Sequence, residues 1–178
     1  ADTIQMAMQA ALSGRLVLST FHTFSTRALI IRLLEMGIPT SVVAHALVGV
    51  VAVRLARRIC PSCSAPYVLN AFEERIVGGS GASQNVRKGK GCDQCRNSGY
   101  VGRTGVFEVL PFDEQVKSHI LEGKSPSLLP QLFLEKGIES LEEVAVKKTL
   151  EGITTIEEVV RVVGVLPSAA ASSKKSET

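Results

Sequence analysis

Residues 57–67 read RRICPSCSAPY, and residues 91–100 read GCDQCRNSGY. Each stretch holds a Cys-x-x-Cys pair, and together they hold all 4 cysteines of the 178-residue chain. Such pairs can close loops as disulfides, carry redox chemistry or bind a metal. A gap of two residues lets both thiolates of a pair face one ion, and two pairs complete a tetrahedral four-sulfur shell. Disulfides suit a secreted chain, and nothing else here has that character. A thioredoxin-type redox pair needs one motif at the start of a helix, so Pro61 and the presence of a second pair argue for ligation. Cys60, Cys63, Cys92 and Cys95 are the expected ligands of one structural metal ion, mostly zinc, with iron open for the same cage. The neighbouring Lys and Arg residues are expected to help keep the thiolates deprotonated. The 28 residues between Cys63 and Cys92 exceed the usual zinc-ribbon spacing, so a long hairpin has to bring the pairs together. The module reads as having almost no core of its own, which would make the metal the agent that folds it.

The surrounding composition is that of a soluble globular protein, with 45% hydrophobic and 21% charged residues. A net charge of +3 is too small to force a nucleic-acid or membrane reading. Aromatic residues make up only 4% and tryptophan is absent, so the expected core is aliphatic. No signal peptide opens the chain, and no apolar run reaches the ~20 residues of a membrane span. The nearest, SVVAHALVGVVAV at 41–53, carries His45 and runs into Arg54, and so reads as a buried helix. The chain starts ADTIQMAMQAALSG, without Met and almost inside a helix, which points to a piece of a longer protein.

Upstream of the cysteines, Asp2 or Thr3 can cap a helix over Ile4–Ser13 that Gly14 stops, with Ile4, Met8, Ala11 and Leu12 near one face. RLVLST (15–20) reads as a short buried strand and FHTFS (21–25) as the loop after it. A second helix spans Thr26–Met36, with Ile30, Leu33 and Leu34 inward, and a third starts at Thr40 or Ser41 and runs to about Arg58. In that third helix Arg54, Arg57 and Arg58 share one face, either solvated or facing another subunit or an acidic partner. Downstream, VGGSGASQNVRKGKG (77–91) reads as a loop or hairpin tip and Thr104–Leu110 as a strand. Then Asp113 caps Glu114–Leu121, Ser125-Pro126 opens a helix to Lys136, and Ser140 caps Leu141–Leu150. Thr155 and Glu158 read as the capping box of a last short helix. The tail from Pro167 reads as disordered. Alternation of helix and strand in the first ~60 residues is that of an α/β sheet domain.

The segment LSGRLVLSTFHTFSTRALIIRLLEMGIP (12–39) resembles part of the type II secretion and type IV pilus assembly ATPases. LVGVVAVRLARRICPSC (47–63), GCDQCRNSGYVGRTGVFEVLP (91–111) and LEEVAVKKTLEGITTIEEVVRVVG (141–164) extend the likeness to Gly164. The resemblance implies an α/β fold: the back part of a RecA-like P-loop NTPase sheet domain, with an inserted tetracysteine zinc subdomain and a C-terminal helical region. It divides the chain at 1–59 (core with its His box), 60–98 (metal-binding subdomain), 99–112 (return strand), 113–164 (helical region) and 165–178 (tail). The phosphate loop Gly-x-x-x-x-Gly-Lys-[Ser/Thr] occurs nowhere in the sequence. The resemblance therefore implies the back half of a motor that binds ATP and magnesium, with this piece inactive alone.

It further implies that His22, the second histidine of the family's box, lies near the nucleotide's γ-phosphate, and that Thr20 and Thr23 orient its loop. A neutral imidazole can donate a hydrogen bond to phosphate or to attacking water; the plain alternative is a strand-end histidine bonded to a backbone carbonyl. Arg103 matches the Arg of a Gly-Arg-Thr-Gly turn that can approach the nucleotide, the alternative being a solvated strand-edge charge. Arg15, Phe24 and Val53 depart from the common pattern. The implied setting is a homo-hexamer in the cytoplasm, peripheral to the bacterial inner membrane, working with inner-membrane platform proteins and with no nucleic acid. A zinc-ribbon nucleic-acid module is the rival, favoured by VRKGKGCDQCR (86–96) and disfavoured by the lack of aromatic platforms among those basic residues.

Overall fold

The computed structural model describes residues 2–78, 85–124 and 126–164. Part of the expected hairpin tip (79–84), Ser125 and the tail from 165 lie outside the described residues. The fold is mixed α/β. Helices α1 (Asp2–Leu12), α2 (Thr26–Glu35) and α3 (Thr40–Ala46) lead into strand β1 (Gly49–Ile59). Short strands β2 (Ser64–Pro66) and β3 (Arg87–Gly89) flank α4 (Ala71–Ile76), and the long strand β4 (Tyr100–Pro111) follows. Helices α5 (Glu114–Leu121), α6 (Leu129–Glu135), α7 (Leu141–Leu150) and α8 (Ile156–Val163) follow among the described residues. Among the described residues, β1 pairs with β4 and β2 pairs with β3.

The chain divides into two compact units, the first comprising Ala1–Ala52 and Phe107–Glu139, the second Val53–Val106 and the chain from Ser140. In the first unit Ile30 and Leu33 of α2, Val43 and Ala44 of α3, and Val116 and Ile120 of α5 close around Leu110. This core is aliphatic apart from Phe112 and Phe133. Gly14 ends α1 in the left-handed region (φ 88°), where its N–H and that of Arg15 take up the carbonyls of Ala11 and Ala10. Met8 is buried and Ile4 and Ala11 pack on the core, but Leu12 faces solvent.

Three expectations are corrected here. RLVLST forms no strand: Leu16 and Leu18 are 82% and 88% exposed. A strand needs a neighbour to take its N–H and C=O groups, and no described strand supplies one. The expected long third helix ends at Ala46, and GVVAVRLARRI is β1. Its β-branched valines favour a pleated strand, and burial recurs at Ala52 and Ala56 while Val51, Val53 and Leu55 stay exposed. The helix from Ser125-Pro126 is also shorter than expected: a 3₁₀ turn at Pro126–Leu128 precedes α6. The caps at Asp113 and Ser140 form as read, each side chain accepting an N–H three residues on.

In a strand Arg57 points away from Arg54 and Arg58, so the three do not share a helical face. Arg57 meets Glu158 of α8, whose carboxylate is fully buried. The Arg57 side chain donates from Nε (2.8 Å) and Nη2 (2.5 Å), its backbone N–H donates at 2.9 Å, and Arg161 donates twice more at 2.8 and 2.7 Å. The guanidinium of Arg57 also lies 4.1 Å from the centre of the Tyr100 ring. Thr155 accepts the Glu158 N–H (3.3 Å), but the carboxylate turns to the arginines rather than closing the expected capping box.

Burial opposes ionisation of Glu158, and the bonds from Arg161 and Arg57 outweigh it, taking the carboxyl from 4.5 down to about 2. A carboxyl depressed in the folded state stabilises above its unfolded value, and that contribution is lost as pH falls from about 4.5 towards 2. The shift corresponds to about 3 kcal/mol. Glu158→Gln, which leaves two arginines without their counter-charge, is expected to cost about 3 kcal/mol at pH 7 in denaturant titration. The gap between wild type and variant should close as the pH approaches 2; a gap that is absent at pH 7 or constant with pH would refute this.

Candidate metal centre

The two Cys-x-x-Cys pairs fold as copies of one device. Cys60 directly follows β1 and opens a 3₁₀ turn at Pro61–Cys63; Cys92 opens another at Asp93–Cys95. Each turn is closed by the N–H of its second cysteine donating to the carbonyl of its first, at 3.4 Å and 3.2 Å. After Cys95 the chain reverses through Arg96 (φ 51°) and Asn97 (φ 59°), and the Asn97 N–H returns to the Cys92 carbonyl at 2.9 Å. The knuckles are joined by backbone bonds: Cys60 N–H to Gly99 O at 2.9 Å, and Lys90 N–H to Cys63 O at 3.0 Å. Beside them β2 and β3 pair antiparallel, Ser64 opposite Gly89 and Pro66 opposite Arg87.

The result brings four sulfur atoms within 4.8 Å of one another, with Cys60–Cys92 at 3.9 Å, Cys63–Cys95 at 3.8 Å and Cys92–Cys95 at 3.7 Å. Disulfide sulfurs sit about 2.05 Å apart, so none of these contacts is a disulfide. A zinc–thiolate bond of about 2.3 Å gives a tetrahedron with edges of about 3.8 Å. The four cysteines therefore fit a metal ion in a closed four-sulfur shell. Cys60 and Cys95 are buried, Cys63 and Cys92 half-buried.

Backbone dipoles tune the sulfurs. Burial works against a thiolate at Cys95, but N–H groups of Cys92 (3.2 Å) and Gly99 (3.3 Å) point at its Sγ and bring the thiol down to about 6. Burial pushes Cys63 up to about 11, although a backbone bond from Gly91 opposes it. Amide N–H groups, rather than the expected Lys and Arg neighbours, favour the Cys95 thiolate.

The insert between the pairs is more than a hairpin. Asn70 and Glu73 form a capping box that starts α4. Leu69, Ile76, Val77 and Val86 are buried with Ile156 of α8, and Tyr67, Val146, Leu150 and Val160 pack against them. The module thus has a small apolar core, against the expectation of almost none. Clues were present in Asn70-x-x-Glu73 and in the apolar Leu69, Ile76 and Val77 that a helix start there would gather.

The other expected site residues lie apart from this centre. His22 belongs to the first unit, exposed in the irregular segment ahead of α2. That segment enters the helix through a clamp missed in the sequence: the buried Glu108 of β4 accepts the Thr26 N–H (2.8 Å) and hydroxyl (2.5 Å). A buried carboxylate at a helix N-terminus satisfies orphan donors and suits the helix dipole. Arg103 belongs to the second unit and is exposed on β4.

Among the glycines, the closest approach is between Gly89 and Gly99. A Cβ on Gly89 would stand 2.1 Å from the Gly99 carbonyl oxygen, and one on Gly99 would stand 2.7 Å from the Gly89 oxygen. Gly89→Ala must push two backbone segments apart beside the second knuckle. It is expected to destabilise the second unit by about 2–3 kcal/mol and to speed metal loss to a chelator, followed with a colorimetric indicator. Wild-type kinetics of metal release in that variant would show that the close approach is dispensable.

Comparison with known proteins matches residues 1–161 to the family described as type II/IV secretion system protein. The chain is similar to the type II secretion system protein E of Dickeya dadantii (42% identical over 161 residues, 90% of this chain and 32% of the relative). It is similar to the protein of the same name from Pseudomonas aeruginosa (38% over 162 residues, 90% and 32%). It is also similar to the type IV pilus assembly ATPase PilB of Thermus thermophilus (38% over 161 residues, 89% and 18%). The chain thus spans about a third or less of the length of these relatives. With the match spanning residues 1–161, from α1 past both cysteine pairs into α8, the chain belongs to the type II/IV secretion system protein family.

Proposed function

We propose that this chain is a segment of a hexameric, RecA-like motor ATPase that powers type II secretion or type IV pilus assembly. The observation that carries this reading is the 42% identity to a type II secretion protein E over 90% of the chain. The nucleic-acid alternative is not favoured by that membership. In this reading residues 1–59 belong to the ATPase core, 60–98 form the metal-binding subdomain, 99–112 return to the core and 113–164 are the helical region.

ATP and magnesium, bound by the whole protein, would supply the scissile phosphoanhydride and the cation that offsets its charge. His22 is assigned the role of donating a hydrogen bond to the γ-phosphate or to the attacking water. Its exposure, at the end of a segment held by the Glu108–Thr26 clamp, suits a group that meets a ligand brought by the rest of the protein. The exposed, apolar RLVLST beside it suits a strand whose neighbour lies in the remainder of the parent sheet. Arg103 is assigned to approach the nucleotide with its planar fork of donors. Cys60, Cys63, Cys92 and Cys95 are assigned as ligands of a structural zinc. Among the described residues no helix is long and apolar enough to cross a membrane. The assigned location is the cytoplasmic face of the inner membrane, held there by platform proteins.

Steady-state kinetics on the whole protein test this reading. His22→Ala should lower kcat by up to about 10²–10³-fold, as loss of a transition-state donor does, with KM changed less than about threefold and the oligomer intact by sizing. An effect on KM alone would make His22 a ground-state or structural residue. The 178-residue chain by itself, with no phosphate loop in its sequence, is expected to show no ATP turnover; turnover abolished by His22→Ala would contradict that.

A further inference from the structure

A cleft in the second unit opens beside the first knuckle, lined by the apolar Ile59, Pro61 and Ile153 together with Arg58, Arg87 and Ser64. Its charge is one-sided: two guanidinium groups line it and no carboxylate does. The arginines differ in how they are held. Arg87 is half-buried, donating from Nε to the Ser64 hydroxyl at 2.7 Å and from Nη2 to the Ser64 carbonyl at 3.1 Å. Its stem also runs against Gly152, where a Cβ would stand 3.0 Å from Arg87 Cδ. The Arg87 fork is thus fixed in orientation while Nη1 is left without a bond to Ser64. The Arg58 side chain is exposed and has neither hydrogen bond nor ion pair among the described residues.

Two cations facing one cleft repel each other, and half-burying one of them without a counter-charge costs solvation. Two other arginines of this unit, Arg57 and Arg161, resolve that cost internally by sharing the buried Glu158. Arg58 and Arg87 do not. From this contrast we propose that the cleft is a binding site for a phosphate group, gripped by the fixed fork of Arg87 and closed over by the free Arg58. A phosphate monoester carries a charge of about −1.5 to −2 at neutral pH, which balances two guanidiniums. A single carboxylate would leave one of them uncompensated. Planar guanidinium forks pair with phosphate oxygens in parallel bonds. The site lies next to Cys60 and Cys63, so a bound phosphate would bear on the backbone that sets the first knuckle.

The test is titration of the full 178-residue chain with inorganic phosphate at constant ionic strength, followed by amide chemical shifts and calorimetry. Saturable binding is expected, with shifts centred on Ser64, Arg87 and Ile153. Arg58→Gln and Arg87→Gln should each weaken it by about tenfold or more, as loss of charge-assisted bonds does. Arg32→Gln, an exposed arginine of α2 in the first unit, should leave it unchanged. Thermal unfolding of each variant checks folding, and Arg58→Gln, at an exposed position, keeps the test decisive if Arg87→Gln fails to fold. Phosphatidylcholine vesicles with and without phosphatidic acid distinguish the source: binding to the anionic vesicles that Arg58→Gln abolishes assigns a lipid headgroup, and binding of free phosphate alone assigns a soluble phosphate. No saturable binding of either probe, equal loss with Arg32→Gln, or acetate competing as well as phosphate would overturn the proposal.

Discussion

Four sulfur atoms within 4.8 Å of one another, three pairs of them at 3.7–3.9 Å, impose the constraint on which the second unit depends. Residues 32 positions apart, Cys60 and Cys92, have to meet, and everything between them is arranged to permit it. β2 and β3 pair so that the two ends of the insert run side by side. Gly89 and Gly99 let two backbones approach more closely than any Cβ allows. The left-handed Arg96 and Asn97 turn the chain back so that the Gly99 N–H faces the Cys95 sulfur. The apolar core beneath is small, with Leu69, Ile76, Val77 and Val86 resting on Ile156. A core of that size contributes modestly, so a metal bound by all four thiolates would dominate the module's stability.

Away from the sulfurs, two buried carboxylates do similar work by different means. Glu158 gathers two arginines and a strand N–H, and so ties α8 to β1. Glu108 takes two donors at the start of α2, and so fixes where the His22 segment enters its helix. In each case a charge removed from water is matched by several donors, which is the condition under which burial is tolerable. Both carboxylates sit where an irregular or terminal segment must be held in one place.

Legibility in the sequence followed the range of the forces involved. The cysteine pairs, the caps at Asp113 and Ser140, and the Gly14 stop depend on residues a few positions apart, and each could be read directly. The family resemblance was equally legible, because it rests on ordered segments spread from Leu12 to Gly164. The strand GVVAVRLARRI was misread because a run of valines bounded by a helix start looks alike in either period; its pairing with β4 decides it. With the helix went the placement of Arg57, whose partner lies 101 residues away. RLVLST shows the opposite failure: strand propensity is present, but no described neighbour converts it into a strand. The Glu158 side chain was read as closing a local box, and a distant arginine outcompeted the local backbone N–H for it.

The four cysteines are placed to hold one metal ion, and the proposal that this ion is zinc, with the second unit folding around it, is the central one to test. Zinc-edge X-ray absorption on protein purified without added metal, alongside elemental analysis, tests it most directly. The account predicts one zinc per chain with a shell of four sulfurs at about 2.3 Å. Protein that contains no metal, with its cysteines paired as two disulfides by intact mass, would contradict it.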